Sequence, residues 1–560
     1  MAENKQTSTK YLDWTKEDLI AEIKALKKRK KYGLVWENTK EDVVERCETE
    51  LPVLVEDKDL SFTGNNDVVN NFLIEGDNYH SLSTLNYTHN NKVDVIYIDP
   101  PYNTGNKDFI FNDTYVDRED SYRHSKWLSF MSKRLNLAKN LLKNTGAIFI
   151  SIDENEQSQL RLLCDEIFGE NNFVGQFIWR KKEGGGQTDA YFVTEHEYII
   201  VYAKSKSFVW RDEIIPDSEA NFNKSDDRGS YTAVKLAKWG NTSRQQDRPK
   251  MHFPIKAPDG KNVTPIAPDG NPGRWRVGKV RMASLIKSEL VEWTDRNGVW
   301  VPYEKIYFDG EKVKKLKERS IIYELATTAD GTKELTKIFN EKDVFENPKP
   351  TELIKFLLRR TTTEDSLVLD FFAGSGTTGQ AVSELNEEDG GQRQFILCTN
   401  NESNNRSSRK IATDICYPRI KQAIQDGTTA SSLRYFRTNF VNKVETDQDK
   451  RNFVLHITEM LCMAEGSFEE LVFEHTKYSI FRNSKQITGI VYDEDFVDEF
   501  KEKIKTFSDE KVIYVFSYDN TYDDEDFDDV KNLIRVKPIP SVILNVYEKI
   551  ARQNARRINL

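Results

Sequence analysis

The chain has 560 residues, 38% of them apolar and 31% charged, with a formal net charge of −10. At roughly 100–200 residues per domain this length predicts three or four units. No apolar run approaches the ~20 residues of a spanning helix, and residues 1–14 lack the apolar core of a signal peptide, so a cytoplasmic protein is expected.

Five cysteines (Cys47, Cys164, Cys398, Cys416, Cys462) are widely spaced without CxxC, and the seven histidines form no HExxH. No disulfide framework and no metal site is expected. The negative charge is unevenly spread. Residues 176–340 hold 29 Lys+Arg against 23 Asp+Glu, a balance of +6, and residues 431–560 hold 19 against 24, a balance of −5. The middle suits a polyanion and the tail does not. The acidic run at 517–531 reads as a solvated loop.

In chain order, residues 14–31 predict a helix with an apolar stripe at Leu19, Ile20, Ile23 and Leu26, read as a packed N-terminal arm or a partner helix. Three short apolar runs come next, each leading into an acid: Phe72-Leu73-Ile74 before Asp77, Val93 to Ile98 before Asp99, and Ala147 to Ile152 before Asp153. Continuous apolar strands alternating with helical stretches such as 126–142 predict a buried parallel sheet with helices on both faces. Ligands of such sheets sit at the carboxyl ends of the strands, where these acids fall. From about 183 the pattern becomes irregular and β-rich, with Asp259-Gly260, Asp269-Gly270 and Asp309-Gly310 turns. The α/β pattern returns at 351 with a helix, the strand Leu367-Val368-Leu369, a glycine loop and the strand 394–398. After about 430 a separate mixed segment is expected, with strand-like runs at 511–516 and 541–544.

Two local signals carry chemistry. Asp99-Pro100-Pro101-Tyr102 comes directly after a buried strand. Two prolines cannot continue a central strand and force a rigid, extended exit. That exit holds a carboxylate, backbone carbonyls and an aromatic ring in fixed relation. The set suits a planar base with an exocyclic amine, which donates to the carboxylate while the ring stacks on its face. The second signal is Asp370-Phe371-Phe372-Ala373-Gly374-Ser375-Gly376-Thr377-Thr378. Its glycines permit close backbone approach to a ligand, and the adjoining helix offers free N–H groups to an anion. It matches neither GxxxxGK[ST] nor GxGxxG, which disfavours a nucleotide-triphosphate or nicotinamide site.

DPPY succeeded some 270 residues later by FAGSGTT resembles the beta-class, permuted DNA adenine methyltransferases. So do residues 71–85, 127–142, 146–156, 196–205 and 347–358. The flanks KYGLVWE (31–37), YPRI (417–420) and PIPSVILNVYEKI (538–550) resemble modification subunits of Type III restriction–modification systems. The resemblance implies an α/β, Rossmann-like S-adenosylmethionine-dependent methyltransferase fold with an inserted target-recognition domain and a C-terminal α/β domain. The expected bounds are an N-terminal arm over 1–60, methyltransferase parts over 61–182 and 341–430, the insert over 183–340, and the C-terminal domain over 431–560.

The resemblance further implies S-adenosylmethionine as methyl donor, adenine N6 in double-stranded DNA as acceptor, a homodimer, and a helicase-nuclease partner. A solitary methyltransferase and cytosine-N4 methylation are the alternatives. Asp99, Pro100, Pro101 and Tyr102 become the catalytic set. Asp77, Asn347, Lys349, Asp370, Phe372, Ala373, Gly374, Gly376 and Thr377 become the cofactor set, Asn347 and Lys349 holding its carboxylate. The ribose is left between Asn400 and Glu402. Arg180, Lys181, Lys182, Arg244, Arg248, Arg274, Arg276 and Arg281 are the candidate DNA contacts, with 273–281 the best single patch because a Trp interleaves its basic residues.

Overall fold

A computed structural model describes residues 36–558, except 38, 63–68, 107, 185–190, 217–221, 297, 309–312, 404–407, 426, 428–430 and 523. The helix expected over 14–31 lies outside the described residues.

The chain divides into two compact units, 1–211 with 319–560, and 212–318. The first is built on a ten-stranded sheet. In chain order its strands are β1 (Glu50–Glu56), β2 (Val69–Glu75), β3 (Val93–Ile98), β4 (Leu142–Ile152), β5 (Phe173–Arg180), β6 (His196–Ala203), β7 (Ile321–Ile322), β8 (Leu367–Asp370), β9 (Gln394–Thr399) and β10 (Ser431–Asn442). In space they lie β1-β10-β2-β9-β8-β3-β4-β6-β5-β7. The six from β10 to β4 are mutually parallel.

The expected burial on both faces is observed, and strand periodicity explains it. Phe72, Ile74, Ile96, Ile98, Ile148, Ile150, Leu369 and Ile396 face one core, shared with helices α1 (Asn78–Thr88) and α2 (Arg123–Leu141). The intervening Leu73, Val95, Tyr97, Ala147, Phe149, Val368, Phe395 and Leu397 face the other. That second face packs on α3 (Thr351–Arg359), α4 (Thr377–Asp389) and α5 (Tyr417–Gln425).

Three expected boundaries move. The insert forms a compact unit over 212–318, not 183–340, because β6 and β7 complete the main sheet. Glu50–Glu56 is a strand of that sheet, not part of a helical arm. The break at 430/431 falls at the start of β10, which lies between β1 and β2.

Beyond β10 stands a five-stranded sheet whose chain order is also its spatial order, from Glu469–Glu474 to Leu533–Ile539. One face has its own core with Phe500 and Ile504 of the helix Val497–Ile504. The other face, through Phe481, Ile490, Val512, Tyr514 and Phe516, joins the core of the main sheet. The strand-like run 541–544 is instead the first turn of a helix, Ser541–Ile558. Pro540 cannot extend a ladder, and Ile543, Tyr547 and Ile550 are buried at helical spacing.

The unit 212–318 carries a four-stranded antiparallel sheet and a helix, Lys279–Lys287, around Leu236, Phe253, Trp275, Met282 and Leu285. Among the described residues no helix is long and apolar enough to cross a membrane.

Candidate active site

The acids singled out in the sequence gather at one edge of the sheet. β8 lies between β3 and β9, and β9 pairs with β2, so Asp99, Asp370 and Asp77 stand at or just past the ends of neighbouring parallel strands.

The segment 99–103 is pinned from α2. Trp127 Nε1 donates to the Pro101 carbonyl at 2.7 Å. Asn103, fully buried with φ of +59°, donates to the Arg123 carbonyl at 3.2 Å and to Glu156 Oε1 at 2.6 Å. Burial pushes the Glu156 carboxyl up to about 8. The prolines set the direction in which the chain leaves the sheet, and the Trp127 and Asn103 donors hold it there.

Asp99 is the centre of a dense polar cluster. The Tyr102 hydroxyl donates to Asp99 Oδ1 at 2.7 Å. Lys349 Nζ donates to Asp99 Oδ2 at 2.8 Å and to the Tyr102 hydroxyl at 3.0 Å. The ammonium also stands 5.2 Å from the centroid of the Tyr102 ring. Burial pushes the Asp99 carboxyl up, and Lys349 pulls against it. Lys349, expected to hold a cofactor carboxylate, has its ammonium buried and paired with Asp99, because a buried cation needs an anion beside it. Asn347 is exposed, in the left-handed region at φ +47°.

The glycine loop is built differently, from hydrogen bonds and close approach. Asp370 Oδ1 accepts from the Phe372 N–H at 3.0 Å, and Oδ2 accepts from the Thr378 hydroxyl at 2.6 Å. Its carboxylate thus braces the loop, and burial pushes it up to about 7. Gly374 and Gly376 have φ of +50° and +85°, where side chains are strained. A Cβ on Gly374 would stand 3.1 Å from the Phe345 ring, and one on Gly376 3.0 Å from Cys416 Sγ. Gly376 caps α4 without a side-chain bond. Ala373 and Thr377 are buried, and Phe372 is half-buried against Phe130.

Asp77 is the N-cap of α1, accepting from the Tyr79 N–H at 2.7 Å, and it pairs with Arg134 at 3.3 Å. Glu402, whose carboxyl burial pushes up, is hydrogen-bonded to Asn400 just beyond β9.

Four groups carry no local signal in the sequence. Arg419, fully buried, donates to the hydroxyls of Ser375 and Thr377 at 2.9 and 2.8 Å and pairs with Glu334 at 3.2 Å. It ties the glycine loop to α5, and burial lowers its guanidinium to about 10. Trp127 and Arg134 are the buried braces on α2. Glu197 lies inside the Asp99 cluster. Arg419 and Glu197 both sit in stretches marked by family likeness, 417–420 and 196–205, but nothing local reveals their long-range partners.

The basic candidates divide. Arg248 and Arg276 are exposed, and Lys182 is half-buried. Arg244 pairs with Asp269 at the surface, half-buried Arg180 with Glu183, and exposed Arg281 with the buried Glu304. Two are committed elsewhere. Lys181 is paired with Glu197 at 2.9 Å. Arg274 is buried, donating to the Thr242 carbonyl and hydroxyl, so it braces its own loop instead of facing solvent.

The largely parallel α/β sheet thus places a proline-fixed carboxylate beside a glycine loop. The DNA methylase family matches residues 93–410, which include both motifs. The chain belongs to that family. It is 36% identical to the Type III restriction-modification enzyme StyLTI Mod subunit of Salmonella typhimurium, over 65% of this chain and 58% of that protein. It is 34% identical to the EcoPI Mod subunit of Escherichia phage P1, over 68% of this chain and 66% of that protein. It is 37% identical to the Type II methyltransferase M.KpnI of Klebsiella pneumoniae, over 65% of this chain and 87% of that protein. The chain thus spans about three fifths to two thirds of the two Mod subunits.

Proposed function

We propose that the protein transfers a methyl group from S-adenosylmethionine to N6 of an adenine flipped out of double-stranded DNA, as the modification and recognition subunit of a Type III restriction–modification system. The carrying observation is the meeting of Asp99-Pro100-Pro101-Tyr102 with the glycine loop at the ends of neighbouring strands β3 and β8. Likeness to two Mod subunits supports the finer assignment.

The residues present fit the cofactor. The loop 372–377 offers glycines at positive φ and an α4 N-terminus free of a side-chain cap, which suits a carboxylate. Ala373, Gly374, Gly376 and Thr377 line its methionine part, with Asp370 bracing them. Asn400 or Glu402 takes the ribose. Bound there, S-adenosylmethionine supplies an electrophilic methyl group.

The adenine amine is a weak nucleophile, so the chain's contribution is alignment, exclusion of water and polarisation. Asp99 accepts a hydrogen bond from the amine, helped by the Pro100 carbonyl. Tyr102 stacks on the extruded base. Trp127 and Asn103 keep the segment rigid. The exposed basic residues track phosphates: surface pairs such as Arg244–Asp269 are individually weak, and DNA competes for them. Two copies act together, in the cytoplasm, with a helicase-nuclease docking on the assembly.

The second reading is a solitary methyltransferase, favoured by the 87% of M.KpnI that the chain covers. Long-read sequencing of DNA from a host expressing the chain tests both the modified base and its context. N6-methyladenine at one asymmetric site, lost with Asp99→Ala while the variant still folds and binds S-adenosylmethionine, upholds the enzyme. N4-methylcytosine or unmodified DNA overturns the adenine assignment. Co-purification with a co-expressed helicase-nuclease from the same operon separates the Type III subunit from the solitary enzyme.

A further inference from the structure

Glu197 stands at the start of β6, 8% exposed, with no role in the mechanism above. Its Oε1 accepts from Lys181 Nζ at 2.9 Å. Its Oε2 accepts from the Tyr102 hydroxyl at 3.1 Å and lies 3.4 Å from Lys349 Nζ. Two carboxylates, Asp99 and Glu197, therefore share one ammonium and one hydroxyl. Burying a second carboxylate is costly, and a buried ion pair is weak support for stability. An Asp99–Lys349 pair would be neutral without Glu197. Adding Glu197 requires a further cation, Lys181, so the fold commits two more ionised groups to this position.

The hydrogen-bond count gives the reason. The Tyr102 hydroxyl has one proton and two acceptors in reach, Asp99 Oδ1 and Glu197 Oε2. In the arrangement observed, Tyr102 and Lys349 occupy both oxygens of Asp99. Each oxygen keeps a second lone pair, so a target amine has to share Asp99 with these two donors or displace one of them. Buried polar groups are not left unpaired without cost, so a displaced donor needs somewhere to turn.

Resting on the methyltransferase reading, we propose that Glu197 is a positioning residue for the transfer: it is the alternative acceptor to which the Tyr102 hydroxyl and the Lys349 ammonium turn when the target amine takes Asp99. No bond is made or broken at Glu197. It keeps both donors paired in either arrangement and so lowers the cost of opening Asp99 to the base.

The charged groups facing Asp99 are Lys349 ahead of α3, Glu197 with Lys181 behind it on the β5–β6 pair, and Asp370 at the end of β8. The hydroxyls of Tyr97 and Tyr102 complete the set. Burial opposes charge on Glu197, yet Lys349 and Lys181 hold its carboxyl below the usual range. Glu197 in turn raises Asp99. Removing the Glu197 charge lowers the pH at which Asp99 ionises.

The test uses the full chain, radiolabelled S-adenosylmethionine and unmethylated plasmid DNA in single-turnover assays at saturating DNA. Glu197→Gln is expected to slow transfer by about 10-fold or more, to leave S-adenosylmethionine affinity unchanged, and to move the acidic limb of the pH–rate profile down. Glu197→Asp restores part of the rate. Lys181→Met, which removes the cation bonded to Glu197 Oε1, is expected to slow transfer with S-adenosylmethionine affinity unchanged, which keeps the test open if Glu197→Gln melts early. Wild-type rates in both variants, or an unmoved acidic limb in Glu197→Gln, overturn the proposal. A wild-type chain that binds no S-adenosylmethionine and labels no DNA overturns the methyltransferase reading, and the proposal with it.

Discussion

The insert and the tail both read as separate domains in the sequence, and the structure treats them oppositely. Residues 212–318 form a compact unit with their own core around Trp275. Residues 431–560 have a sheet of their own, but its second face is continuous with the core beneath the main sheet. The segment also begins with a main-sheet strand, β10. Net charge, +6 for the middle against −5 for the tail, does not separate the two behaviours. Autonomy depends on where each apolar face goes. The insert closes on itself, whereas the tail places Phe453, Met460, Tyr514 and Tyr547 in the same core as Leu82 and Phe72.

Truncation after residue 430 attacks this contrast hardest. It removes β10 from between β1 and β2 and uncovers a core face, so no cooperatively folded monomer is expected in circular dichroism or thermal melting. A folded, cofactor-binding fragment 1–430 would make the tail a true docking module. In the insert, Trp275→Ala is expected to cost about 3–5 kcal/mol. Differential calorimetry should place the loss in 212–318 alone, with DNA affinity falling and S-adenosylmethionine affinity unchanged. At the tail seam, Tyr547→Phe removes the hydroxyl that donates to the Pro52 carbonyl at 2.5 Å. About 0.5–1.5 kcal/mol should be lost from the main transition and none from the insert.

The smallest effect is on pH dependence. Burial raises Asp370 to about 7, so below its ordinary range both folded and unfolded states hold the proton. Between that range and about 7 only the folded state does, and stability falls as pH rises through this window. Asp370→Asn should flatten that slope in the melting midpoint of the main unit. The insert's Asp226 is shifted the other way, to about 2, by its bonds from Lys305 and Tyr307. Its contribution is present above the ordinary range and lost only as pH falls toward 2, so the insert's transition should stay level from pH 5 to 8.

The same distinction explains how much is legible in the sequence. The parallel sheet can be read from apolar runs, because strands buried on both faces leave a continuous local signal. Asp99 and the glycine loop can be read because proline and glycine declare their backbone conformations. Lys349 is legible as a site residue, but its partner is not. A sequence fixes where a lysine is anchored, whereas its ammonium goes to whichever buried anion the fold brings near, here one 250 positions away. Glu197 and Arg419 are opaque for the same reason. The 541–544 run misleads because three apolar residues after Ser541 fit a strand or a helix equally, and the neighbouring Pro540 decides the matter.

The position of β10 also bears on how the chain is made. β2 emerges early and cannot acquire this neighbour until Ser432, 361 positions beyond Asn71, has been synthesised. At about 5–20 residues per second the wait is roughly 20–70 s. Until β9 is made both flanks of Phe72, Leu73 and Ile74 are open, and one stays open until β10, on a strand whose faces are both apolar. An open apolar edge invites pairing with other chains. Production of soluble protein should therefore depend on holdase capacity in the host, and slowing elongation downstream of codon 75 should lower its yield.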